Sequence, residues 1–202
     1  MKKILLTYIA CLAYSIVCSQ TNASLLNDIN SVKQAKKFIA KYPELSAQII
    51  TVSSDKDTTD ISPTLYDKKP GDTFRLDAYD YKILDKTSYP EFRVSYIFLD
   101  GSQIASKTID KLREEIINKY KNGTPFSDLA NAYTMDSAPN GDVGWFKENV
   151  MAKEFELAIK QHNRNDIFTV DIPASKWYFV VLKTFDERIT KRLTVLKIKT
   201  GI

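Results

Sequence analysis

The sequence predicts an α+β protein, and three stretches carry that prediction. "FRVSYIFL" (92–99) is a β-branched and aromatic run of strand length. "SKTIDKLREEIINKYKNG" (106–123) places Ile109, Leu112, Ile116 and Tyr120 at helical spacing, with Gly123 just beyond the end. "KWYFVVLKTF" (176–185) is short, apolar and rich in β-branched residues, as a buried strand requires.

Before these stretches, Ser31-Val32-Lys33-Gln34 reads as a capping box that opens a helix through about Tyr42, where Pro43 ends it. "SAQIITVSS" supplies a strand centred on Ile49, Ile50 and Val52, followed by a polar loop near residues 55–60. "KKPGDTF" is a Pro-Gly turn, and "FRLDAYDYKILDK" alternates as a strand does. Thr124-Pro125 caps a second helix, "FSDLANAY", which buries Phe126, Leu129 and Tyr133. "MAKEFELAIKQ" gives a further helix with Phe155 and Ile159 on one face, and "RLTVLKIK" closes the chain as an extra strand. "GDTFRLD…YKILDKT" and "NDIFTVD…FVVLKT" share an Asp-x-Phe-x-x-Asp start and a strand ending in Lys-Thr, which reads as a degenerate internal repeat.

The first residues have the pattern of an export signal. Lys2 and Lys3 precede an apolar run from Ile4 to Val17, too short to anchor in a membrane, and Val17 and Ser19 suit a cut that leaves Gln20 first. Cys18 offers the rival of a lipid anchor, but Val17 stands where such a site wants a smaller residue. Cleavage after Ser19 would remove both cysteines, Cys11 and Cys18, and with them any disulfide or thiolate chemistry. The formal charge of +4 would fall to about +2, with acids and bases interspersed, which is not a nucleic-acid footprint. No later segment is apolar and long enough to span a bilayer.

Most catalytic chemistries lack their residues. The single histidine, His162, sits in the turn "KQHNRND" and reads as solvent-exposed. Without a retained cysteine, one histidine does not make a zinc site, nor does it meet a serine on a strand-to-helix elbow. The chain has no glycine-rich phosphate loop, and no cofactor or metal is expected. No pair of acids stands out for glycoside hydrolysis.

The order that remains is strand, long helix, Gly-Thr-Pro-Phe, helix, Gly-Asp-x-Gly-Trp-Phe, short helix, turn and strand. Its carrying pieces are "VSYIFL", "NGTPFSDLANAYTMD", "GDVGWF", "MAKEFELA" and "WYFVVLKT". In combination they resemble the parvulin (rotamase) domain of peptidyl-prolyl cis-trans isomerases over about residues 93–186. The resemblance implies a small antiparallel or mixed sheet surrounded by about four helices, and the region before it, outside the match, reads as a smaller α/β N-terminal region. The chain then divides into a signal at 1–19, an N-terminal α+β region at 20–91, a parvulin-like domain at 92–186 and an extension at 187–202.

By the same resemblance, Val143, Phe146, Met151 and Phe155 form the pocket for the substrate's proline ring. Met151 and Phe155 are four apart and share a helical face, beside a turn that Gly141 and Gly144 allow. Two departures stand out. Parvulins usually carry a histidine in a Ser-His-Ile-Leu-like first strand and another in a Tyr-His-Ile-Ile-like last strand. The positions matched to them here are Tyr96 and Tyr178, with Asp136 or Met135 at the third polar position. The connection "LDGSQIAS" also lacks the basic cluster of phosphate-selective parvulins.

Prolyl isomerisation forms no covalent intermediate, so a site need only bind the twisted amide better than the planar one. A phenol can donate and accept one hydrogen bond each, much as a neutral imidazole does. Tyr96, Tyr178 and Asp136 are therefore the expected catalytic residues of a cofactor-free periplasmic isomerase or folding factor. Its expected partners are extended proline-containing segments of secreted or outer-membrane proteins. The alternatives are a module without activity that binds polypeptide within an envelope complex, and a holdase using residues 20–91 as a second client surface.

Overall fold

The structure, a computed structural model, describes residues 26–56 and 65–199. The signal-like segment, Cys11, Cys18 and the Ser19 cut lie outside the described residues. The chain divides into two compact units, one holding residues up to Ser88 together with those from Thr190 onward, the other running from Tyr89 to Ile189.

In the first unit, helix α1 (Val32–Lys41) starts at Ser31, whose hydroxyl accepts from the Gln34 backbone N–H at 3.2 Å. The reciprocal half of the box is displaced by one residue, because the Gln34 side chain accepts from the Asn30 N–H at 2.9 Å. Strands β1 (Gln48–Ser53), β2 (Thr73–Leu76), β3 (Tyr79–Phe92) and β8 (Arg188–Lys199) form a sheet in the order β1-β8-β3-β2. The expected single strand across 74–86 is instead a hairpin, turned at Asp77, whose φ of 50° is left-handed. Leu84, Leu196 and Ile198 pack beneath Ala35 and Phe38 of α1 on one sheet face. Ile83, Leu193 and Val195 pack with Leu65 and Tyr66 on the other, the period-two alternation of a strand buried on both sides.

In the second unit, β4 (Ser95–Asp100), β6 (Ile167–Ile172) and β7 (Trp177–Leu182) form an antiparallel sheet in the order β4-β7-β6. "FRVSYIFL" does not continue as one strand, since β3 ends at Phe92 and β4 begins at Ser95. The two-residue strand β5 (Phe146–Lys147) pairs with Glu91 and Phe92. One face of the three-stranded sheet carries Ile97, Leu99 and Val180 against helices α2 (Ser106–Lys121) and α3 (Phe126–Tyr133). The opposite face carries Phe168, Val170, Phe179 and Val181 against helix α4 (Lys153–Gln161) through Phe155 and Ile159. Helix α3 begins with Pro125 at its cap and no side-chain cap bond, so Thr124 does not play the role its sequence suggests. Burying an isoleucine or phenylalanine contributes about 1.5–3 kcal/mol, and these two cores hold the sheet between its helices.

The two segments of the degenerate repeat enter their hairpins through the same bonds. Gly71 N–H donates to Ile83 O, Ile83 N–H to Asp72 O, and Lys69 N–H to the Asp72 carboxylate. Asn165, Lys183, Asp166 and Asn163 reproduce that set, and Asn165, like Gly71, has positive φ. The shared aspartate fixes where each hairpin starts.

Candidate functional site

A cavity of about 400 Å³ opens on the α4 face of the second unit's sheet. Its floor follows from strand alternation: Tyr96, Phe98 and Asp100 are every second residue of β4, and Trp177 and Phe179 alternate on β7. The start of α4 forms one wall through Met151, Ala152 and Phe155, and Asp136 and Ile172 complete the lining. Tyr96, Phe155 and Phe179 meet edge to face, with ring centroids 5.1–6.0 Å apart. Phe155 is only 3% exposed, so it serves the core and the cavity at once.

The polar wall is a chain of short hydrogen bonds. The Tyr96 phenol donates to one Asp136 oxygen at 2.7 Å, and Thr134 Oγ1 donates to the other at 2.7 Å. The Ala138 N–H also donates to that second oxygen, at 3.2 Å. Burial first, and then the hydrogen bond to the Asp136 carboxylate, push the Tyr96 phenol well above its ordinary ionisation range. Tyr96 is therefore a neutral donor at every working pH.

The position of the Met151 wall is fixed by a carboxylate. Glu156, 5% exposed on α4, accepts from the backbone N–H groups of Asn149, Val150 and Met151 at 2.9, 3.0 and 2.9 Å. Asn149 takes a left-handed φ of 67°, which turns this loop into the helix. On the opposite side, Arg93 donates two hydrogen bonds to Asp142, and Gly144 N–H donates to the same carboxylate at 2.9 Å. The Arg93 guanidinium holds the Asp142 carboxyl below its usual range.

The structure separates the residues matched to the family pattern. Tyr96 and Asp136 face one another, and Met151 and Phe155 line the cavity. Val143 and Phe146 do not line it; Val143 packs partly buried against the core, and Phe146 lies beneath, its ring 5.8 Å from Phe92. Tyr178 is a correction. It points to the other sheet face, packed in the α2 and α3 core with its ring 5.2 Å from the Arg113 guanidinium. The physical reason is the period of two: in Tyr-His-Ile-Ile the histidine is the second residue, so its place falls to Phe179, opposite Phe98. His162, expected to be solvent-exposed, is half-buried. Its ring stacks on Phe168 at 3.7 Å, and Nδ1 donates to Ala158 O at 2.7 Å, away from the cavity lining.

The sequence reading did not include Phe98, Asp100, Ala152, Ile172, Trp177 and Phe179. Two of these were available from alternation, since Tyr96 puts Phe98 and Asp100 on its own side, whereas Trp177 and Phe179 follow from the pairing of β7 with β4. Ile172 enters by tertiary packing alone. Among the described residues no group of three or more His, Cys, Asp or Glu is placed to hold a metal ion, and no helix is long and apolar enough to cross a membrane. What the site offers is an apolar enclosure with one neutral phenol, its proton held on Asp136, and two carboxylates.

The architecture that carries this apolar enclosure is an antiparallel sheet with α2 and α3 on one face and α4 on the other. The family model for the PPIC-type PPIase domain matches residues 80–188, and the chain belongs to that parvulin family. The chain is 41% identical over 76 residues to the foldase protein PrsA of Geobacillus sp. (strain WCH70), a match covering 36% of this chain and 25% of that protein. It is 28% identical over 99 residues to PrsA of Halalkalibacterium halodurans, covering 48% of this chain and 29% of that one. These matches span less than a third of the relatives' own length. Among solved structures, the peptidylprolyl isomerase PrsA of Bacillus anthracis is similar with 25% identity and a TM-score of 0.40, covering 50% of this chain and 44% of that one.

Proposed function

We propose that the second unit is a prolyl isomerase that acts on extended proline-containing polypeptide, without a cofactor, in a folding factor of the cell envelope. The observation that carries this reading is the Tyr96–Asp136 hydrogen bond on the wall of an apolar cavity beside Met151 and Phe155. The amide barrier is ~18–20 kcal/mol and arises from C–N resonance, which the charge-separated form of the amide contributes. An apolar enclosure disfavours that form, and a donor that meets the twisted amide lowers the barrier further. Tyr96 has one hydroxyl proton, held on Asp136 in the free site, and supplies the donor by turning that proton from the carboxylate to the amide as substrate enters.

A coupled isomerisation assay on Xaa-Pro peptides tests this. Acceleration is expected, with Tyr96→Phe losing at least about tenfold in kcat/KM, the scale of one hydrogen bond to a reacting group. No imidazole lines the cavity, and the Tyr96 phenol is held protonated. The rate constant is therefore expected to stay within about twofold from about pH 6 to 9, since ordinary carboxyls lie near ~4 and phenols near ~10. His162→Ala should leave that profile unaltered. An inflection near neutrality that disappears in His162→Ala would remove Tyr96 and Asp136 from their assigned roles.

A second reading, a polypeptide-binding module without activity, draws on Phe179, an aromatic ring at the position where the family pattern has an imidazole. Peptide binding without acceleration would select it.

In the proposed arrangement residues 1–19 direct export to the periplasm and residues 92–186 form the isomerase domain. Residues 20–91 and 187–202 form an accessory part, and the clients are exported proteins. The charged start and apolar run before Ser19 motivate the first of these assignments. Mass spectrometry of the native protein is expected to find Gln20 at the mature N-terminus; a lipid adduct on Cys18 would replace the free form with a membrane-anchored one.

A further inference from the structure

We propose that the cavity selects proline-containing segments that carry a lysine or arginine within two residues of the proline. The inference rests on the cavity's being a proline site. Its basis is the order of side chains along the groove. The antiparallel register sets Phe98 opposite Phe179, and Asp100 opposite Trp177. The floor is thus aromatic and enclosed around Phe98, Phe179 and Phe155, and becomes carboxylate and indole at the Asp100–Trp177 end.

Distances match a neighbouring substrate residue. Two strand residues, Phe98 to Asp100, advance the floor by about 6.6 Å. An extended peptide advances by about 3.3–3.6 Å per residue. A side chain one or two places from a proline held among the phenylalanines therefore reaches the Asp100–Trp177 end. Directly opposed side chains of an antiparallel pair have Cβ atoms about 4.5–5.5 Å apart, so one cation can meet both.

The two groups are suited to a cation. Trp177 is 44% exposed, and its ring meets Phe98 edge to face at 6.4 Å, which keeps the indole at the mouth of the groove. An indole face beside a carboxylate attracts ammonium and guanidinium groups. Asp100 accepts from Ser102 N–H at 2.8 Å, Ser102 Oγ at 2.6 Å and Gln103 Nε2 at 2.9 Å. Those bonds hold its carboxyl below the usual range, so it stays charged. Lys176 also acts on Asp100 but is the weakest of these influences, and among the described residues no ion pair joins the two. Asp136 places a second carboxylate on the lining, which contains no lysine or arginine. A basic neighbour of the proline is attracted, and an acidic one is repelled.

The test uses the whole chain and three peptides, Ala-Xaa-Pro-Phe with Xaa as Lys, Ala or Glu. Binding is measured by calorimetry and isomerisation by exchange NMR. The lysine peptide is expected to bind about fivefold tighter than the alanine peptide, and the glutamate peptide about fivefold weaker. In Asp100→Asn, where the amide oxygen still accepts from Ser102, the gap between lysine and alanine should close. Should that variant fail to fold by circular dichroism, the wild type decides alone: about 0.5 M salt should collapse the lysine-to-glutamate ratio. Equal affinities, a preference for glutamate, or a lysine preference indifferent to salt would each overturn the inference while leaving the proline site standing. A lysine preference in binding without acceleration would support it and select the binding module. If none of the peptides binds, the inference and the proline site fall together.

Discussion

Gly141→Ala is expected to lose the cavity and most of the second unit's stability, about 3 kcal/mol or more. Two causes add. Gly141 has a φ of 74°, which alanine adopts only with strain. A Cβ there would also stand 2.5 Å from the Tyr96 carbonyl oxygen and 2.9 Å from the Ala130 Cβ. Neither neighbour is the end of a flexible side chain, so β4 or α3 must shift, and Tyr96 moves with β4. Gly144 is the internal control. It has a similar φ of 69°, but a Cβ at that position would meet nothing within 4 Å, so Gly144→Ala should cost about 1 kcal/mol. Denaturant unfolding of both variants checks the contrast. Equal losses would mean that backbone strain alone, and not the approach to Tyr96, makes Gly141 necessary.

Glu156→Ala is expected to have the next largest effect, because it strips acceptors from three backbone N–H groups at once. Hydrogen bonds to a charged group contribute about 1.5–3 kcal/mol each, and water reaching the exposed Asn149 and Val150 recovers part of that. A net loss of about 3 kcal/mol is expected, with Met151 displaced from the cavity wall and peptide affinity reduced more than about tenfold. Glu156→Gln keeps one side-chain oxygen and should restore part of both. Calorimetric peptide binding alongside thermal unfolding separates the two consequences. Full affinity in a destabilised Glu156→Ala protein would confine Glu156 to holding the fold, with no influence on the wall.

The elements near the site differed in how far local rules could place them. Met151 and Phe155 share a face because a helix repeats every ~3.6 residues, and that is local geometry. Both line the cavity. The turn before them was marked by its glycines, but only the contact of Gly141 with Tyr96 shows which glycine the fold requires. Val143 and Phe146 lie two and five residues beyond that glycine, and the path of the loop turns both into the core. A hydrophobic pattern cannot distinguish lining a cavity from packing beneath it, since both bury apolar surface. Glu156 gave no signal at all. It resembles any acid in the first turn of an amphipathic helix, and its role emerges only when the 149–151 loop folds back onto it.

The sequence by itself determined the α+β class and the order of strands and helices in the second unit. Those follow from short-range periodicity, capping and turn residues, each set by a few neighbouring side chains. It also determined the parvulin resemblance, which the family match to residues 80–188 now carries. Only the tertiary structure decided which of two adjacent β7 residues looks into the cavity. Tyr178 and Phe179 are equally good strand residues, and a shift of one residue exchanges the faces of the sheet. The choice was made by pairing with β4, which sets Phe179 against Phe98, and by Arg113 on α2, which takes the Tyr178 ring on the other side. Both partners are distant in the chain, so no local rule could supply them.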